Sequence, residues 1–128
     1  MIKSFFNANG SFGYAAAAKP DFPRASDLLL HMDRLGIQRS IVYHLRARDQ
    51  NVDIGNSALL KEIEACPGAK HRLIPAFTVV PTMFYAIGSM DNFVKAMAIG
   101  KVRALRAFPD THGFRLWYLE PMLEQVSR

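Results

Sequence analysis

Residues Leu28–His44 read "LLLHMDRLGIQRSIVYH", and the order of parts in this stretch decides the fold. Leu28, Leu29, Met32 and Leu35 recur at helical spacing. Ser26 stands ahead of them as a cap and Gly36 closes the run. The period then changes, because Ser40–His44, "SIVYH", is a short β-rich apolar run. Helix, glycine stop and strand in that order make one α-to-β step.

The same step recurs outward in both directions. "IKSFFNAN" (Ile2–Asn9), "RLIPAFTVV" (Arg72–Val80) and "VRALRAF" (Val102–Phe108) are three more strand patterns. A second helix carries Leu59, Leu60 and Ile63 behind a cap at Asn56 and stops at Pro67-Gly68. A third carries Phe93, Val94 and Met97 and stops at Gly100. Pro121 is barred from a helix interior, so the last helix starts near Glu120 with the proline in its first turn. Pro75 interrupts the third strand pattern and predicts a bulge or an irregular turn there.

Four β/α units imply parallel strands, since a parallel connection needs a crossover, and strands apolar on both faces need helices over them. An open doubly wound sheet would show a phosphate loop after its first strand. "NGSFGYAAAAKP" has neither the G-x-G-x-x-G spacing nor a P-loop lysine. A closed (β/α)₈ barrel takes about 250 residues and eight units. The expectation is therefore a single α/β domain over residues 1–128, a parallel (β/α)₄ half of a TIM-barrel-like fold.

Composition removes several function classes. The net charge is +5 and the pI near 9.7, but the sixteen Lys and Arg residues are scattered singly. No basic stripe interleaves with aromatics, which argues against specific nucleic-acid binding. No apolar run reaches the ~20 residues of a membrane span, and no export signal opens the chain. One cysteine, Cys66, excludes an internal disulfide and fits a reducing compartment, so the expected location is cytoplasmic.

Asn7, Asn9 and Ser11 alternate in the first strand pattern, and alternate strand residues share a face. The chain resembles the amidohydrolase-related proteins, the (β/α)₈ metal-dependent hydrolases and decarboxylases. The resemblance rests on "FNANGSFG", "LLLHMDRLGIQRSIVYH", "DIGNSALL", "RLIPAFTVVP" and "VRALRAFPDTHGFRL", and implies the first half of that barrel. The family's first strand ends in Asp-x-His-x-His, whose histidines hold a divalent metal, typically zinc. Matching on Gly13 puts Asn7 at the aspartate and Asn9 and Ser11 at the histidines. Neutral Asn and Ser oxygens are weak zinc ligands, so no metal cofactor is expected. The three remain open as remnants bonded to one another, water or backbone, as ligand-binding groups, or as metal ligands.

In such barrels function sits at the C-terminal strand ends. His44 ends the second strand pattern, followed by Arg46 and Arg48, and His112 lies in the loop after the fourth with Asp110 beside it. His44, His112 and Asp110 are the catalytic candidates, the last two as an acid–base pair or a turn stabiliser. Arg106 shares a strand face with Ala104 and Phe108; with Asn9 and Ser11 it is a ligand-binding candidate. It reads as an inward cation awaiting an anion or as a strand-end arginine paired with a carboxylate. His71 falls at the opposite end of its strand, His31 on a solvated or rim position of the first helix, and Cys66 and Trp117 in packing roles.

Two functional expectations follow. One is a metal-free amidohydrolase-like protein, inactive alone, either a natural half-length protein or a truncated product. The other is a non-catalytic half-barrel that assembles or binds a small anion. Four parallel strands leave two open edges, which predicts a homodimer or larger assembly.

Overall fold

The computed structural model describes residues 4–14 and 19–127. Four strands, β1 (Phe5–Phe12), β2 (Ile37–His44), β3 (Leu73–Val79) and β4 (Ala104–Ala107), form one all-parallel curled sheet in the order β1-β2-β3-β4. Helices fill the crossovers: α1 (Ala25–Leu35) after β1, α2 (Leu45–Asp49) and α3 (Val52–Ala65) after β2, and α4 (Ser89–Gly100) after β3. A single turn, α5 (Pro109–His112), and then α6 (Glu120–Val126) follow β4. This is a β/α half-barrel. Ile2, where the sequence pattern places the start of the first strand, lies outside the described residues.

One face of the sheet packs on the helices. Val42, Leu73, Phe77 and Val79 meet Leu28 and Met32 of α1, Leu59 and Ile63 of α3, and Phe93 and Met97 of α4 in one core. Ile41 and Tyr43, Ile74, Ala76 and Thr78, and Ala104 and Arg106 point by register to the opposite, concave face, where Tyr43, Ala76 and Thr78 are buried.

Three local expectations are corrected. The first helix begins at Ala25, ahead of Ser26, and Asp27 Oδ2 accepts the Arg24 N–H at 3.0 Å. The second is capped by Asn51, whose Oδ1 accepts the Ile54 N–H at 2.9 Å. Asn56 is instead buried one turn inside α3, where its amide accepts the Thr78 N–H at 2.9 Å and donates to the Thr78 carbonyl at 3.0 Å. The third correction concerns the polar face of β1. The β1–β2 register shifts between Asn7 and Gly10, so Asn7 aligns with Ser40 but Ser11 aligns with Tyr43. Ser40 and Tyr43 lie on opposite faces of β2, so this bulge sends Asn7 and Ser11 to opposite faces of the sheet. Asn7, Asn9 and Ser11 therefore do not form one row.

Pro75 stays within β3, but the β2–β3 ladder ends at its pairing with Val42. Beyond that point Asn56 takes the place of the missing strand neighbour. Replacing Asn56 with alanine strips two buried backbone groups of their partners. Asn56→Ala is expected to cost about 2–4 kcal/mol in urea unfolding, against about 1 kcal/mol for the surface cap variant Asn51→Ala. Equal costs would show that the Thr78 clamp is not structural.

Candidate functional site

The segments after β2, β3 and β4 enclose an open cleft of about 940 Å³ at the C-terminal strand ends. Its lining includes Arg48 and Asp53, Tyr85, and Thr111, His112 and Tyr118. Gly55 lets α2 and α3 meet at the cleft wall, since a Cβ there would collide with the Ala47 backbone.

His112 spans this mouth. Its Nε2–H donates to the Arg48 carbonyl at 2.6 Å, tying the turn after β4 to α2 across the end of β3. A carbonyl only accepts, so Nε2 carries a proton, and in the neutral ring Nδ1 is the acceptor. Nδ1 is buried with no hydrogen-bond partner. The His112 ring meets Phe108 edge-on at 5.9 Å, and Phe108 meets Tyr43 edge-on at 4.9 Å. The Arg106 guanidinium lies over both Phe108 and Tyr43, at 5.0 and 5.4 Å from the ring centroids. Arg48, His112, Phe108, Arg106 and Tyr43 thus form one belt over the ends of β2, β3 and β4, of which Arg48 and His112 line the cleft and Tyr43, Arg106 and Phe108 lie beside it.

The two arginines of the belt differ in electrostatics. Arg48 is held in a two-pronged pair with Asp49, at 2.7 and 3.0 Å. That hydrogen bonding raises its pKa above the usual guanidinium value, with Tyr43 adding to the effect. Arg106 makes no ion pair among the described residues, and its Nε is buried without a hydrogen-bond partner. Thr78, its register partner on β3, is 0% exposed and its hydroxyl is likewise unpartnered.

The remaining sequence candidates fall as follows. Asp110 is exposed on α5 and makes no hydrogen bond to His112. His44 ends β2 as expected, but its ring turns to the helix side, edge-on to Phe12 at 5.4 Å. Its Nδ1 accepts the Arg46 N–H at 3.1 Å. Gly13, at φ 105°, leaves room for it; a Cβ there would stand 2.5 Å from His44 Cε1. Asn9 is exposed, Ser11 is half-buried, and the Asn9 N–H donates to Asn7 Oδ1 at 3.0 Å. His71 is exposed at the far end of β3, and the His31 ring lies tilted against Phe22 at 4.8 Å. Trp117 is 60% exposed under Arg115 rather than packed.

Sequence reasoning missed Tyr43, Thr78 and Asn56 as parts of this region. The signal for Tyr43 was its period-two spacing from Ile41. Nothing in the local pattern pointed to the Asn56–Thr78 bond, whose partners are 22 residues apart.

Burial, and secondarily the Arg46 charge, lower the His44 pKa from 6.5 to about 4. The unfolded chain therefore takes up this proton near pH 6.5, the folded chain only near pH 4. The associated stability is complete above pH 6.5 and is lost as pH falls through that window. Thermal melts of the wild type should decline between pH 6.5 and 4 more steeply than those of His44→Gln; parallel curves would contradict it. No protein-family model matches the chain, and neither a curated protein nor a solved structure matches it.

Proposed function

We propose that the chain is an amidohydrolase-type half-barrel that binds a small anionic molecule at its strand ends, with Arg106 as the anchoring cation and no metal centre. The observation that carries this reading is Arg106 itself: a guanidinium on the concave face, walled by two rings, with no carboxylate partner among the described residues. A cation held this way gains from a carboxylate or phosphate oxygen, which Arg binds through charge-assisted hydrogen bonds. The scattered positive surplus of the chain favours the same sign of ligand. Ser11, on the concave face, and the exposed Asn9 lie on β1, at the opposite edge of the sheet from Arg106, and one chain does not bring them to the same small ligand.

The family's zinc does not fit these residues. The two histidine positions are Asn9 and Ser11, and Asn7 Oδ1 is already engaged by the Asn9 N–H. Among the described residues no group of three or more His, Cys, Asp or Glu side chains is placed to hold a metal ion. The hydrolase chemistry of the resemblance has less behind it than binding. His112 Nδ1 has the lone pair a general base needs, yet it is shielded from solvent and Asp110 does not orient it. His112 works as a strut across the mouth.

Calorimetry against acetate, benzoate, succinate and inorganic phosphate tests the reading. At least one should bind, and Arg106→Ala should weaken it about 10- to 100-fold, the value of a charge-assisted hydrogen bond. An affinity that Arg106→Ala leaves unchanged would overturn it. Elemental analysis of the purified chain should find zinc and manganese far below one per chain; one tightly held ion per chain would restore the metal-dependent reading.

A further inference from the structure

Both edges of the sheet are open among the described residues: β1 pairs only with β2, and β4 only with β3. Natural edge strands are blunted by lysines, prolines, bulges or short length. β4 is short, four residues; β1 carries only the bulge between Asn7 and Gly10. It runs for eight residues, "FFNANGSF", without a charge or a proline. Phe5 and Phe6 at its start are each 56% exposed. A strand of this kind is built to be paired.

We propose that the pairing partner is β4 of a second copy of this chain, so that two half-barrels close an eight-stranded barrel about a two-fold axis. Each copy then adds its β1 to the other's β4, at two equivalent seams. The closure is parallel like every other ladder in the sheet, and it ends at two copies because each supplies half the strands. Covering two seams and a concave face is an interface on the order of 2,000 Å² or more, the obligate class.

The register names the residues that meet. Ser11 aligns with Tyr43, Ile41 with Ile74 and Ala76 with Ala104, so one row runs from Ser11 through Tyr43 and Ala76 to Ala104. An eight-stranded barrel of shear eight displaces such a row by about four residues per half turn. Only the displacement towards the start of β1 stays inside the strand. Counted along β2, level with the bulged strand, it sets the partner's Phe6 near Ala104 and the partner's bulged Ala8–Asn9 pair near Arg106. Arg106 Nε–H is a buried donor without an acceptor, and Asn9 carries an exposed amide. The seam therefore sets the partner's exposed Asn9 amide beside the part of the guanidinium that a ligand also meets, since Nε itself is closed to solvent within each chain. This shared-site element rests on the reading of Arg106 as the anion anchor; the closure itself does not.

Sedimentation velocity on the wild-type chain from about 1 to 100 µM tests the closure. The expected species has twice the 14.4 kDa chain mass. A folded monomer throughout, or aggregates of no fixed mass, would overturn the proposal. Asn9→Lys, which faces one cation with another, should shift the dimer to monomer with an unchanged circular dichroism spectrum. Combining Asn9→Lys with Arg106→Glu should restore the dimer. A dimer indifferent to both would overturn the assigned seam. Should Asn9→Lys fail to fold, Asn9→Cys with Arg106→Cys in a Cys66→Ser background reads the same contact. These two sites sit on opposite edges of one chain, so oxidation should give a covalent dimer, and its absence would overturn the seam. If the dimer stands and Arg106→Ala leaves phosphate or carboxylate affinity unchanged, only the shared anion site fails.

Discussion

Pro75 has no N–H to give a ladder, and the sheet is organised around that deficit. The β2–β3 pairing runs from Ser40–Leu73 to Val42–Pro75 and ends. Past the proline, the Thr78 backbone would face an empty edge in the middle of the sheet. A buried unpaired N–H and C=O there would cost several kcal/mol together. Asn56 meets both with one amide, the geometry of a single strand residue delivered from a helix. The consequence is positional. α3 is pinned to the sheet at the level of the strand ends, and Glu62 of the same helix accepts the Ala25 N–H at 3.1 Å, pinning α1 as well. At the opposite end, Arg72 donates to the Gln38 and Ile37 carbonyls at 3.0 and 2.8 Å and closes the bottom of β2. The bottom is tied and the top is held apart, which is why the cleft opens at the C-terminal ends.

The belt beside that opening separates two duties that look alike in the sequence. Arg48 and Arg106 are both strand-end arginines near apolar runs. Arg48 is neutralised by its own neighbour, Asp49, and lends its carbonyl to His112. Arg106 has rings on its faces and no acid beside it among the described residues. Aromatic faces attract a guanidinium without quenching its charge. The arrangement keeps Arg106 in place while leaving its hydrogen-bonding edge unsatisfied.

The legible part of the sequence was the part written in periodicity. Leu28, Leu29, Met32 and Leu35 before Gly36, and the apolar run ending at His44, suffice for a β/α unit, and four such units suffice for parallel strands. Glu120 as the start of the last helix followed from where Pro121 is tolerated. What periodicity could not carry was any exception to it. Asn56 resembles a cap because asparagine usually is one, and its true partner lies on another element. The three polar residues of β1 look like one face only while the strand stays regular; the bulge before Gly10 breaks that parity, and no residue type announces it. Gly10 itself has a reason to be glycine, since a Cβ would strike the Ser40 hydroxyl. At the site, strand-end placement picked out His112 and Arg106, but pairing status was hidden. Arg48 and Arg106 could be told apart only once Asp49 was seen to turn back on one of them.

Under the proposed closure the two halves of the functional reading become one equilibrium. In an open half-barrel the Arg106 side chain is only half-buried, and an ion pair there gains little. A second copy laid over the concave face removes much of that water, and the same charge then acts in a lower dielectric, where an anion is worth more and its absence is more costly. Closure without a ligand thus carries a penalty that a bound carboxylate or phosphate relieves. Binding and assembly are then linked, each strengthening the other by the same free energy. That linkage also gives the neutral residues of β1 a physical sense. A carboxylate at Asn9 would satisfy Arg106 outright and displace the ligand, and a lysine would repel the seam. An amide would do neither: it would lie beside the guanidinium without neutralising it and leave the positive charge to a ligand.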